Sequence, residues 1–287
     1  MERRIASLRG VAWALVVGWL CATTLPAHPD VDRQVADLTS RIEQEPRNAQ
    51  LYLKRGELHR IHSAFDEAER DFRRARRIEP KLAAVDYFLG RLRLDVDRPK
   101  QAKKLLNRFL GREPHNSKAL VARAQCWLAL DEPAEAAEDF SRAIDGYGDG
   151  RPEPALYLSR ARALATLGAS KLELALRGLD EGLERLGQPV TLQLYAIELE
   201  LERGGHEAAL SRLERIASQA QRQESWLVRR GEILESAGRL AEARNAYGSA
   251  LEAIEALPPS RRGSRAMRRL KADAENALER LVEAAGG

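Results

Sequence analysis

A step of 34 residues recurs along most of this chain and constrains the fold more than any other feature. The positions that keep this step are Pro46, Pro80 and Pro114; Gly56 and Gly90; Ala68, Ala102 and Ala136; Phe72, Leu106 and Phe140; and Ala75, Phe109 and Ala143. The step is lost around 146–154 and again after Gly168, and it returns in Ala175, Ala209 and Ala243. A fixed period of this size is typical of chains that stack one small structural unit many times.

Each period has the pattern of two helices. Ala68, Phe72 and Ala75 fall on one stripe of the second helix, at i, i+4 and i+7. Pro80 ends that helix, because proline breaks the hydrogen-bond ladder and disfavours helix in the residue before it. Gly56 in the first helix leaves room for the two helices of the pair to approach each other closely. Since such a pair cannot bury its apolar face alone, successive pairs are predicted to stack into a solenoid.

These residues carry a resemblance to a known family. The series Tyr52, Gly56, Ala68, Phe72, Ala75 and Pro80 resembles the tetratricopeptide repeat, and Gly90, Ala102, Leu106 and Pro114 resemble it nearly as well. The resemblance covers about six repeats, at 49–82, 83–116, 117–153, 154–189, 190–223 and 224–257. It implies an all-α, right-handed α-solenoid of about six helix pairs. It also implies a surface for other proteins on the concave side.

Both ends of the repeat region are predicted to be capped. Residues 28–48 carry apolar side chains at helical spacing and end in phase with the repeats, which predicts an N-terminal capping helix. Pro258 and Pro259 break the chain, and a charged amphipathic helix within 258–287 follows them. A solenoid needs polar-backed ends of this kind to stay soluble.

The first 27 residues have the order of a secretory signal peptide. A positive start is followed by an apolar run from Val11 to Leu20 and by small residues up to Ala27. Cleavage after Ala27 is expected, which places the protein in the periplasm or outside the cell. The pattern of the leader favours a location in a bacterial cell envelope. The alternatives are an inner-membrane anchor formed by 11–27 and, third, a lipoprotein modified at Cys21.

Charge and cysteine content exclude some classes of function. The formal net charge of the whole chain is only +4, and loss of 1–27 removes more basic than acidic residues. Nucleic acid is therefore not an expected partner. Cys126 is the only cysteine after Cys21, so an internal disulfide within the mature chain is excluded. Its apolar neighbours predict a buried side chain rather than a nucleophile.

The candidate partner-binding residues follow from the resemblance. In this family the first helices of successive repeats line a concave groove, and their exposed faces carry the candidates. These are Lys54, Glu57, Tyr87, Arg91, Lys118, Gln125, Arg162 and Arg229. The alternative for each of them is an ordinary surface residue. The Lys/Asn arrangement of members that bind chaperone tails is not reproduced here.

Other clusters are interpreted as structural. His28, His59 and His62 form an alternative metal-binding or catalytic set, but metal sites need more ligands clustered in space. Two basic runs, at 70–77 and 261–271, are interpreted as solvated helix faces. The sequence shows no phosphate-binding loop, paired carboxylates or serine elbow. We therefore expect a non-catalytic protein-binding scaffold or assembly factor without cofactor or metal. Its partner is a protein or peptide, and contact with a membrane depends on an uncleaved leader.

Overall fold

The computed structural model describes residues 29–286, which contain helices and no strand. The helices are α1 Pro29–Gln44, α2 Ala49–Ile61, α3 Phe65–Ile78, α4 Ala84–Asp95, α5 Pro99–Leu110, α6 Ser117–Ala129, α7 Pro133–Asp145, α8 Pro154–Ala165, α9 Leu172–Leu186, α10 Val190–Glu202, α11 His206–Ala217, α12 Glu224–Ser236, α13 Leu240–Glu255, α14 Pro259–Arg262 and α15 Arg265–Gly286. A short 3₁₀ turn at Ala169–Lys171 precedes α9. The predicted leader and His28 lie outside the described residues.

Local sequence explains where several helices begin. Asn48 and Asn116 cap α2 and α6, because each side-chain oxygen accepts a hydrogen bond from a free backbone N–H of the first turn, at 3.1 Å. Pro99 and Pro133 open α5 and α7. Proline suits the start of a helix because the N–H it lacks has no partner there.

Small residues set the distance between the two helices of a pair. A Cβ added to Gly56 would lie 2.6 Å from the ring of Phe72, and one added to Gly231 would lie 2.6 Å from Tyr247. The aromatic side chain therefore occupies the space that the glycine leaves. Phe72 and Tyr247 are at most 1% exposed. The pairing of a small residue with an aromatic, read from the sequence of the first repeat, thus also builds the sixth pair.

Six such pairs stack from α2–α3 to α12–α13, so the predicted all-α solenoid of about six helix pairs is confirmed. Within each pair the first helix is α2, α4, α6, α8, α10 or α12, and the second is the helix that follows it. Each second helix also contacts the first helix of the next pair. Nearest-neighbour contacts of this kind make the core a continuous strip rather than one central cluster.

Helices α1 and α15 cover the two ends. Leu38 and Ile42 of α1 join the cluster of the first pair, and α1 contacts α2. Ala274, Ala277 and Leu281 of α15 are buried in the cluster of the last pair. The expected N- and C-terminal caps are therefore present within the described part of the chain.

Candidate functional site

The first helices line the inner side of the stack. They approach each other closely at α2–α4, α4–α6 and α8–α10, whereas no two second helices of neighbouring pairs make an approach of that extent within residues 29–286. A stack whose elements are closer on one side bends toward that side. The exposed faces of the first helices therefore form a concave surface, which we call the groove.

At the N-terminal end of the groove, two of the predicted site residues bind each other. Arg91 donates a hydrogen bond to Glu57 at 2.8 Å, and Arg60 donates to the same carboxylate at 2.7 Å. Arg60 also donates to Asp95. Burial by itself lowers the pKa of Arg60, but hydrogen bonds to Glu57 and Asp95 outweigh it and raise that pKa above its ordinary value. These four side chains join α2 to α4, so Glu57 and Arg91 already have partners within the chain.

Tyr87 belongs partly to the core. Its ring packs against those of Phe88 and Phe109, with centroids 5.2 and 5.4 Å apart. The Arg91 guanidinium lies over the other part of the ring, 5.7 Å from its centre. Tyr87 is half-buried. It therefore stabilises the second pair as well as contributing an edge to the groove.

The centre of the groove offers groups without partners. Lys118, Gln125 and Arg162 are exposed, and none of their side chains forms a hydrogen bond or ion pair with another part of residues 29–286. Arg162 lies 5.4 Å from the ring centre of Tyr195 on α10. Because stacking on a ring leaves the edge of the guanidinium free, Arg162 keeps its hydrogen-bond donors for a ligand.

Exposed apolar side chains lie on the same helices. Leu128 of α6 is 42% exposed and Leu194 of α10 is 37% exposed. They flank α8, which carries Arg162. The middle of the groove thus combines apolar surface with a cation that has no carboxylate, a combination that suits peptide recognition.

The remaining two predicted residues are separate from this centre. Lys54 is exposed on α2, and its side chain forms no hydrogen bond within residues 29–286. Arg229 of α12 pairs with Glu232 of its own helix at 2.8 Å. The structure therefore brings together Glu57, Tyr87 and Arg91 and places the other candidates singly along the groove.

Sequence reasoning missed Arg60, Asp95, Leu128 and Leu194. A signal was present for the first two, since Arg60 follows Glu57 by one helical turn and Asp95 is 35 residues further on. The two leucines could have been found as apolar residues that lie outside the buried stripe of their helices.

Within residues 29–286, the histidine and cysteine candidates show few of the features that metal binding or nucleophilic catalysis needs. Residues 29–286 contain no group of three or more His, Cys, Asp or Glu side chains arranged to hold a metal ion, while His28 lies outside that range. Burial lowers the pKa of His59. Burial raises the pKa of Cys126 to about 12, so its thiol is protonated and inert at neutral pH. Arg70 and Arg73, in the first basic run, pair with glutamates of their own helix, whereas Arg76 of the same run pairs with the buried Asp86 of α4.

No helix between residues 29 and 286 has both the length and the apolar composition that a membrane span requires.

Comparisons with known proteins agree with the geometry. Residues 87–151 match the family model described as tetratricopeptide repeat, and residues 179–277 match the one described as tetratricopeptide repeat-like domain. A curated relative, the protein O-mannosyl-transferase Tmtc3 of Drosophila melanogaster, is 28% identical over 106 residues. That match covers 37% of this chain, which spans only 11% of the length of the relative.

Solved structures share the fold. PilW, described as a type IV pilus biogenesis factor, superposes with a TM-score of 0.55 at 18% identity, covering 66% of this chain and 86% of PilW. YrrB, described as a protein with an unusual peptide-binding site, gives 0.51 at 19% identity, covering 62% and 89%. A tetratricopeptide repeat protein of Parabacteroides merdae gives 0.50 at 16% identity, covering 86% and 93%. By its repeat pattern, its stacked helix pairs and these matches, the chain belongs to the tetratricopeptide repeat family.

Proposed function

We propose that this protein is a non-catalytic scaffold or assembly factor that binds a segment of a partner protein in its groove. The observation that carries the proposal is the centre of the groove, where exposed Leu128 and Leu194 flank the unpaired Arg162. Burying the two leucines would favour association, and Arg162 would fix the orientation of an acidic group of the partner. The expected segment therefore carries apolar side chains next to a carboxylate.

The proposed location is the bacterial cell envelope. The leader pattern of residues 1–27 supports it, and one protein of the same fold, PilW, is described as a pilus biogenesis factor. The peptide-binding site ascribed to YrrB supports a binding role for the groove. N-terminal sequencing of exported protein tests the location. A start at His28 agrees with it, whereas a lipid-modified Cys21 or an intact Met1 contradicts cleavage after Ala27.

The groove is tested by capture of cross-linked partners from cells that make the protein. The double variant Leu128→Ser, Arg162→Glu removes one of the two exposed leucines and reverses the charge without changing a buried side chain. We expect capture to fall by about tenfold or more, as removal of central interface contacts does. Helical content and melting temperature should stay unchanged.

The matched control is Arg177→Glu on α9, which reverses another exposed arginine, on a second helix and outside the groove. It should capture partners as the unmodified protein does. Undiminished capture by the groove variant, or equal loss in the control, would show that the groove is not the working surface.

A further inference from the structure

The joint between α11 and α12 differs from the earlier joints at one packing position, five residues before the small residue of the first helix. The residue five positions before Gly56 is Leu51, and its equivalents in the next four pairs are Val85, Ala119, Leu156 and Leu192, all at most 8% exposed. In the sixth pair this place belongs to Trp226, which is only half-buried. A cavity of about 440 Å³ lies against Trp226, and a second cavity of about 230 Å³ also reaches it.

The larger cavity, which we call the α11–α12 cavity, has an apolar lining and a polar rim. Leu210, Leu227, Leu234 and Trp226 line it. Its volume lies in the range of small-ligand sites, about 300–1,000 Å³. On the rim, Arg239 already pairs with Glu207 at 2.5 Å. Arg230 and Glu214 are exposed rim residues whose side chains form no hydrogen bond or ion pair with any other described residue.

Arg230 lacks the partner that its equivalents have. Arg55, which precedes Gly56, is bonded to Asp71 at 2.7 Å, sixteen residues further on. Arg123 is bonded in the same way to Asp139, at 2.6 Å. In the sixth pair the corresponding position is Ala246.

The consequence is a guanidinium at the cavity rim that forms no hydrogen bond to a neighbouring helix. The charge of Arg230 acts on Glu242 through space, without a hydrogen bond. Because the guanidinium has five donors and cannot lose its proton, it favours a carboxylate brought by a ligand.

We propose that the α11–α12 cavity binds a peptide segment of a partner, with a bulky apolar side chain on Trp226 and a neighbouring carboxylate on Arg230. A peptide suits the rim better than a simple apolar anion, because Glu214 and Ser211 are acceptors for its N–H groups. This site lies on the joint between a second and a first helix, not in the groove. It would therefore give the scaffold a second, independent point of attachment.

The test is a fluorescence titration of the full chain with acetyl-Ser-Phe-Leu-Glu-Ser-amide, whose binding should change the emission of Trp226. The same peptide with Gln in place of Glu should bind about tenfold more weakly, since it lacks the charge that Arg230 recognises. The Arg230→Gln variant should bind both peptides equally weakly. Trp226→Phe should lose the emission change, and Trp127→Phe should keep it.

The matched control is Arg177→Gln, an exposed arginine of α9 that does not line the cavity and should bind as the unmodified protein does. Ser211→Trp should fill the cavity and abolish binding while circular dichroism and melting stay unchanged. Three outcomes overturn the proposal: no binding of the Glu peptide, equal affinity for the Glu and Gln peptides, or equal loss in the Arg177 variant. Binding of decanoate as tight as that of the peptide would assign the cavity to a small apolar anion instead.

Discussion

The turn between the two helices of each pair depends on one residue with a left-handed backbone. In the first three pairs this residue is Ser63, Asp97 or Asp131, with φ of 60°, 53° and 60°. In the last three pairs it is Gly168, Gly204 or Gly238, with φ of 95°, 80° and 73°. A side chain in this region is strained, although aspartate tolerates it better than most residues. At these turns within the pairs, the first three pairs therefore carry a small strain that the last three avoid.

Exchanging the residue types at this turn should change stability in opposite directions. Ser63→Gly is expected to raise the free energy of unfolding by about 0.5–1 kcal/mol, because it relieves the left-handed serine. Gly238→Ala should lower it by about 1 kcal/mol, although a Cβ there meets no atom within 4 Å. Urea unfolding of both variants measures the two shifts. Shifts of the same sign would mean that φ does not control this position.

Residues Ala68 and Cys126 are both fully buried but tolerate change differently. Ala68→Leu should cost about 1–3 kcal/mol, because it forces extra volume into the close contact between α2 and α3. Cys126→Ala removes only a thiol and should cost less. Thermal melts compare the two variants with the unmodified protein. An equal or larger loss in Cys126→Ala would contradict the packing described here.

At the scale of elements, charged side chains tie neighbouring helices together. Asp86 of α4 is 6% exposed and accepts hydrogen bonds from Arg76 of α3 and Arg108 of α5, at 2.6 and 2.7 Å. Burial by itself raises the pKa of Asp86, but the bonds from Arg108 and Arg76 outweigh it and lower that pKa below its ordinary value. One carboxylate thus connects three successive helices.

This carboxylate should make stability depend on acid pH. Because the pKa of Asp86 is lower in the folded protein than in the unfolded chain, its contribution is present above about pH 4 and is lost as pH falls through the folded value. Asp86→Asn should cost about 1–3 kcal/mol at pH 7, since two arginines lose a charged partner. The difference between the variant and the unmodified protein should shrink toward pH 2. Unfolding curves at several pH values measure this, and a constant difference would contradict the role of the charge.

The helices were predictable from the sequence. Which of their polar side chains form ion pairs and which remain free was only partly predictable. The 34-residue step and the stripe of Ala68, Phe72 and Ala75 report local geometry, which every pair repeats. Whether Glu57 and Arg91 are free depends on how closely α2 approaches α4. That distance comes from the stacking of whole pairs and leaves no periodic signal in either helix. The same holds for Arg230. That it lacks a partner becomes clear only by comparison with Arg55 and Arg123, which form ion pairs at the equivalent position.

At the scale of the whole molecule, each helix pair is stabilised mainly by the pairs next to it in the stack. Each pair contacts its neighbours, and α15 contacts α13 and α12 at the C-terminal end. Leu281 of α15 is 3% exposed and belongs to the last core cluster, whereas the adjacent Val282 is 62% exposed. In a quasi-one-dimensional stack, loss of an end contact destabilises the units next to it far more than distant ones.

Leu281→Glu should therefore open the C-terminal end without unfolding the chain. A glutamate in that apolar cluster loses its hydration, and this desolvation should release α15 and expose Tyr247 of α13. Hydrogen exchange followed by mass spectrometry should show lost protection in α12, α13 and α15, while α2 to α7 keep theirs. Val282→Glu, the matched control, changes an exposed neighbour and should leave every helix protected. Uniform loss along the chain in Leu281→Glu would mean that the six pairs unfold as one cooperative unit rather than from the end.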